Sequence, residues 1–224
     1  MPQYYSGKIA KSDRIDFLKD TLYAKMPEIE SDRAVLITES YKATEGEPII
    51  LRRAKAFKHI LENIPIVIRD KELIVGSATV QPRSCQVFPE YSFEWLENEF
   101  DTVATRAADP FYISDENKKI LHEVYKYWKG KTTSELATSY MAKETLTAMA
   151  HNMFTPGNYF YNGIGHVTVD YGKILAGGFS ALIKEVKDEL EITKPGDANY
   201  CRKHAFLTAL VISYEAAVAY AKRY

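Results

Sequence analysis

Cysteine is scarce in this chain: Cys85 and Cys201 are the only two among 224 residues. Two thiols make no disulfide framework, and neither has a Cys-x-x-Cys partner. The histidines are as sparse, five in all, and no pair shows the i, i+4 spacing of a helical metal site, which argues against a metal centre. Net charge is nearly absent too, at −1 from 29 basic and 30 acidic residues. Such a surface has no field for gathering nucleic acid or anionic lipid, so neither is expected as a partner. No uninterrupted apolar run reaches the length of a membrane span. No signal-peptide pattern opens the chain, and a reducing cytoplasm is the expected location. Gly163-Ile164-Gly165 leads into strand-like residues instead of a helix N-terminus, so it is no phosphate cradle. Nucleophile elbows, internal repeats and low-complexity stretches are missing as well.

What is present is mostly helical in period. Helices are expected over Asp13 to about Ala24 and from Ser31-Asp32 onward, the latter carrying Ala34, Leu36, Ile37 and Tyr41. A third, opened by Pro48 and closed by Pro65, places Ile50, Ala54, Phe57 and Leu61 on one face. Ile66-Val67-Ile68 and Leu73-Ile74-Val75-Gly76 read as two short strands or extended pieces. Residues 77–93 read as irregular, and further helices are expected over 93–100, 115–129 and 134–151. Thr132-Thr133-Ser134-Glu135 matches a capping box at the head of the last of these. Phe179, Leu182, Val186 and Leu190 mark another amphipathic helix, and Leu207, Leu210, Val211, Tyr214 and Val218 a long final one. That final helix is still in period at Tyr224, with no stop signal beyond it. A chain that simply ends in a helix is the ordinary explanation, yet the tail carries apolar residues to its end, as a helix covered by something absent would. No internal domain boundary is expected over 1–224.

The run Gly157–Gly172 is unlike the rest. It holds four glycines, three tyrosines, two asparagines, one histidine and one aspartate in sixteen residues. Glycine lets a backbone approach a ligand closely, while Asn, Tyr, His and Asp supply donors and acceptors. A short strand and loop on a helical scaffold, lining a pocket for a small polar substrate, is the expected structure. His166, between Gly165 and Val167, could hydrogen-bond a substrate hydroxyl and carry a proton near neutral pH. A structural histidine bonded to backbone is the plain alternative. Cys85, in the irregular segment beside Arg83, reads as a partly buried, inert thiol, because no base neighbours it. Arg83 itself reads as a positioning group or as half of a surface ion pair.

Several strings are similar to a known family. Asp32–Tyr41 and Leu51–Phe57 through Gly76 resemble the N-terminal region of the glycyl radical enzymes, the pyruvate formate-lyase superfamily. Pro82–Ser92, Gly130–Met141 and Gly157–Leu175 most resemble the coenzyme-B12-independent glycerol and propane-1,2-diol dehydratases. The resemblance covers nearly the whole chain beyond the first dozen residues. It implies a mainly helical fold with a few short strands, the N-terminal portion of a ten-stranded α/β barrel. Neither the family's Gly-Cys-Val-Glu-like thiyl loop nor its Arg-Val-Ala-Gly-Tyr-like radical loop occurs here. Cys85 and Cys201 stand in other contexts and do not take the thiyl role.

The resemblance further implies a radical dehydratase, a carbon–oxygen lyase whose glycyl radical is installed by an S-adenosylmethionine/iron–sulfur activating enzyme. No cofactor is expected on this chain itself, which alone is expected to be inactive. His166 matches the pocket histidine that holds a substrate hydroxyl, Asn158 is a further substrate-binding candidate, and Tyr161 and Asp170 are candidates to support the loop from behind. The implied partners are a small polyol, the activating enzyme, the missing C-terminal barrel polypeptide and, at full length, a second copy in a homodimer. Enclosure in a microcompartment stays open, no targeting peptide being seen. Two other readings stand beside the dehydratase: another glycyl radical lyase, formate acetyltransferase-like or a decarboxylase, and a non-catalytic truncated or split module acting in binding or assembly.

Overall fold

The structure, a computed structural model, describes residues 12–155 and 167–224. It is built mainly of helices: α1 (Asp13–Tyr23), α2 (Asp32–Ala43), α3 (Ile49–Asn63), α4 (Glu94–Glu99), α5 (Asp115–Trp128), α6 (Thr133–Ser139), α7 (Lys143–Ala150), α8 (Tyr171–Ile192) and α9 (Tyr200–Arg223). The strands among the described residues are β1 (Glu28–Glu30) and β2 (Ser84–Gln86), which pair in parallel with Ile29 opposite Cys85. Tyr112 extends this small ladder, accepting from the Ile29 amide at 2.9 Å and donating its own amide to the Pro27 carbonyl at 2.7 Å.

The core gathers where α2, α3, α4 and α5 meet the β pair. Ala34, Ile37 and Tyr41 lie at i, i+3 and i+7 on α2, and Leu121, Val124 and Trp128 repeat that spacing on α5. Both stripes face inward, as a 3.6-residue period requires. Phe93, buried at 0 % exposure, stacks on Tyr125 with centroids 5.1 Å apart. Trp128 meets Tyr41 at 5.1 Å and donates its indole N–H to the Thr38 hydroxyl at 2.8 Å, so the largest core ring leaves no buried donor unpaired.

Several expected features fall elsewhere. Residues 66–68 and 73–75 form no strand; Leu73 and Ile74 point outward at 78 % and 90 % exposure. The strands that do form are three residues each, too short for alternation to reveal. On α3 the buried face is Ala54, Ala56 and Ile60, continued by Ile64, while Phe57 is exposed. The expected stripe is thus rotated, because α9 packs against α3 and takes the closer face.

The helix foreseen over 134–151 is two. Ser139 turns its hydroxyl onto the Leu136 carbonyl at 2.7 Å, and Ala142 is extended at φ −62°, ψ 150°, which separates α6 from α7. Ser31 precedes α2 but makes no side-chain cap; its hydroxyl donates to Asn117 Oδ1 at 2.8 Å and ties α2 to α5.

Two long helices close the described chain. α8 contains a break at Gly178, whose φ of 65° and ψ of −178° are not helical. α9 passes the length and composition test for a membrane span, with mean hydropathy 1.3 over eighteen residues. In the fold, α9 lies along α3 and α8, burying Leu207, Ala209 and Ala216. Arg223 near its end donates to the Leu61 carbonyl at 2.6 Å and the Ile64 carbonyl at 2.8 Å, satisfying acceptors that the end of α3 leaves open.

Candidate functional site

Of the expected pocket residues, His166, Asn158 and Tyr161 lie outside the described residues, while Asp170 is described. Asp170 is the N-cap of α8: its Oδ1 accepts from the Lys173 amide at 3.0 Å. Its observed work is therefore to start the helix that follows the loop, satisfying an amide that would otherwise lack a partner. The expected strand does not extend over Val167–Val169, which are irregular. The described flanks of the loop are open and apolar, with Met153 at 77 %, Val167 at 88 % and Leu175 at 83 % exposure.

The irregular segment before α4 is held far more firmly. Glu30, buried at the end of β1, accepts from the Val80 amide (2.9 Å), the Gln81 amide (2.8 Å), the Ser84 hydroxyl (2.8 Å) and Gln86 Nε2 (3.0 Å). A buried carboxylate with four donors is a satisfied hub and fixes its loop. Arg69 clasps the same loop from the other side, donating to the carbonyls of Thr79 (2.6 Å), Val80 (3.0 Å) and Gln81 (3.0 Å) while it pairs with Glu72 (3.0 Å). Sequence reading named neither residue. Both sit in charged stretches whose pattern alone reads as solvated surface.

Cys85 is exposed, not partly buried as expected. Crowding around its sulfur and, second, the Glu30 carboxylate push the thiol pKa up, with Arg106 opposing weakly. A raised thiol pKa means less thiolate, the opposite of a reactive cysteine. Arg83 holds no ion pair among the described residues; it lies over the Tyr23 ring at 5.3 Å and reaches the Lys25 carbonyl at 3.5 Å. Among the described residues no group of three or more His, Cys, Asp or Glu side chains converges as a metal site would require.

The capping box at α6 is present and does more than start a helix. Thr132, fully buried, donates its hydroxyl to Glu94 at 2.7 Å, and Ser134 donates to the other Glu94 oxygen at 3.1 Å. Glu135 accepts from the Gly130 amide at 2.7 Å and the Thr132 amide at 3.3 Å. Burial alone would raise the Glu94 pKa. The donors from Thr132, its own backbone and neighbouring side chains outweigh that, so the carboxyl sits below its ordinary value of 4.5.

Comparison with known proteins places this geometry in context. The family model described as pyruvate formate lyase-like matches residues 8–224. A solved structure concerned with 1,2-propanediol dehydration in Roseburia inulinivorans superposes with a TM-score of 0.91 at 63% identity, covering 98% of this chain and 26% of that one. The glycerol-bound B12-independent glycerol dehydratase of Clostridium butyricum gives 0.91 at 54% identity, covering 98% and 28%. The (2S)-3-sulfopropanediol dehydratase of Klebsiella oxytoca is 33% identical over 94% of this chain and 26% of its own length. The chain thus spans about a quarter of the length of the relatives it matches, and it corresponds to their N-terminal part.

Proposed function

The chain belongs to the pyruvate formate lyase-like family, and from that premise we propose that it is the N-terminal part of a glycyl radical diol dehydratase acting on glycerol or propane-1,2-diol. One observation carries the choice of substrate class. Identity to the propanediol and glycerol dehydration structures is 63% and 54% over 98% of the chain, against 33% to the sulfopropanediol dehydratase. This gap in whole-chain identity favours an uncharged polyol over a sulfonated one.

In this reading the glycyl radical, installed elsewhere in the family chain by an activating enzyme, supplies the hydrogen-abstraction chemistry. The residues here do not fit that group. Neither radical loop occurs in the sequence, and the Cys85 thiol is held protonated by its surroundings. No step is therefore routed through this chain's own sulfur, and the 224 residues alone are proposed to be inactive. Their share is to hold substrate. His166 positions one hydroxyl of the diol and can give a proton to the hydroxyl that leaves as water. Asn158 holds the same or the neighbouring hydroxyl, while Tyr161 supports the loop. Asp170, as cap of α8, fixes the point from which the loop departs.

The partners in this reading are the small polyol, the radical-activating enzyme, the remaining barrel polypeptide of the family and a second copy in a dimer. Residues 1–224 form one structural unit within it, and the cytoplasm is its proposed location. The test is His166→Ala in a family-length enzyme carrying these 224 residues. The expected result is a fall in kcat of about 10²- to 10⁴-fold on propane-1,2-diol, the usual contribution of a positioned proton donor. Unchanged turnover would remove His166 from the mechanism. Turnover of a keto acid in preference to a diol by the unmodified enzyme would replace the substrate class.

A further inference from the structure

A cavity of about 490 Å³ opens between α2, α3 and the turn Phe88–Tyr91, closed at its back by Trp128 of α5 and Tyr220 of α9. Its size lies in the range of small-molecule sites. The floor is apolar: the largely covered Ile37, Ile60, Ile64 and Trp128 are joined by the more open Ile49, Phe57 and Leu61. The rim is not. It carries three cations, Arg33, Arg53 and Lys131, against one carboxylate, Glu90.

The Arg33–Glu90 pair is closed on itself. The guanidinium donates to both carboxylate oxygens and at 3.3 Å to the Val87 carbonyl, and it lies 3.6 Å above the Phe88 ring. That bidentate, stacked arrangement neutralises both charges and makes the pair a fixed wall. Arg53 and Lys131 are left over. Among the described residues neither forms an ion pair, and the Lys131 ammonium rests 4.0 Å from the centre of the Tyr127 ring. Two uncompensated cations at the mouth of an apolar cavity disfavour a cationic guest, and a purely apolar one would use only the floor. A small anion without hydrocarbon would use only the rim.

We propose that this cavity is a binding site for a small amphipathic monocarboxylate, with its apolar body on the Ile37–Trp128 floor and its carboxylate between Arg53 and Lys131. This proposal does not rest on the function proposed above.

The probe is 4-phenylbutyrate, with the uncharged 4-phenylbutanol as its control. Trp95, the other tryptophan, is replaced by Phe so that the indole N–H signal of Trp128 stands alone in the spectrum of the labelled 224-residue chain. The acid should shift that signal saturably in the millimolar range, and the alcohol should bind about tenfold more weakly, the equivalent of 1.4 kcal/mol. Arg53 and Lys131 are exposed, so Arg53→Ala with Lys131→Ala should leave the fold intact and weaken the acid to the level of the alcohol. Arg53→Lys with Lys131→Arg should retain binding. Equal affinity for acid and alcohol, an unaffected double alanine variant, or no saturable shift would each overturn the proposal.

Discussion

Residues 28–139 and residues 140–224 are built to different standards. The first region packs Ile29, Ala34, Phe93, Leu96, Val103 and Leu121 at 2 % exposure or less, and it anchors its irregular loop on Glu30 and Arg69. In the second, neither α7 nor α8 has a single buried residue, although α8 runs for 22 residues. Leu175 and Ile192 lie open on α8 at 83 % and 66 % exposure. The first region therefore holds most of the fully buried side chains of the described fold, while in the second only α9, packed on α3, contributes to them among its helices. The second presents apolar surface that has not been taken out of water, as a face awaiting cover does.

The sharpest way to break this comparison is to cut into both regions equally. Phe93→Ala removes a fully buried ring stacked on Tyr125 and should cost about 3–5 kcal/mol in denaturant unfolding. At the other extreme, Leu175→Ala should change stability by no more than about 0.5 kcal/mol, since the side chain is already in water. Equal losses at the two positions would show that α8 is packed after all.

Between these limits, Glu30→Ala should cost about 2–3 kcal/mol, because four donors lose a buried charged acceptor. Amide hydrogen exchange should rise at Val80 and Gln81 well before it rises in α2. A smaller effect is expected from Glu94→Gln, and its sign follows from pH. The folded-state pKa of Glu94 lies below 4.5, so its contribution is fully present above that value and fades as pH falls through the folded pKa. The variant should be less stable than the parent at pH 7, with the difference shrinking in acid. A difference independent of pH would mean that packing, not charge, is what Gln disturbs.

The same contrast explains what could be read in advance. Helices with a covered face announced themselves through spacing: of Ala34, Leu36, Ile37 and Tyr41 foreseen on α2 all but the half-buried Leu36 are buried, and the Thr132–Glu135 box was foreseen and is formed. The face of α3 was misjudged because burial there depends on α9, about 150 residues further on, and local periodicity carries no information about a partner so distant. Leu73-Ile74-Val75 read as a strand because apolar and β-branched residues fit a sheet, but no neighbouring strand among the described residues meets them. Glu30 escaped notice for a different reason. A glutamate set between Glu28 and Asp32 looks like surface, and only the long-range return of residues 80–86 makes it a hub. Among the site residues, Asp170 was legible as a polar group beside the loop but not as a cap, since the strand-like Val167-Thr168-Val169 hid the helix start. His166, Asn158 and Tyr161, suggested by composition and family resemblance alone, lie outside the described residues.

The break at Gly178 decides the direction in which α8 sets out from Asp170. With φ at 65°, this position strains any L side chain, and a Cβ on the adjacent Gly177 would come within 2.7 Å of the Ala181 Cβ. The glycine pair thus works like a fixed elbow, letting the first seven residues of α8 run on a separate bearing from the fifteen that lie against α9. A substitution at either glycine would swing the forearm that begins at Asp170, and so displace the cap at the head of α8.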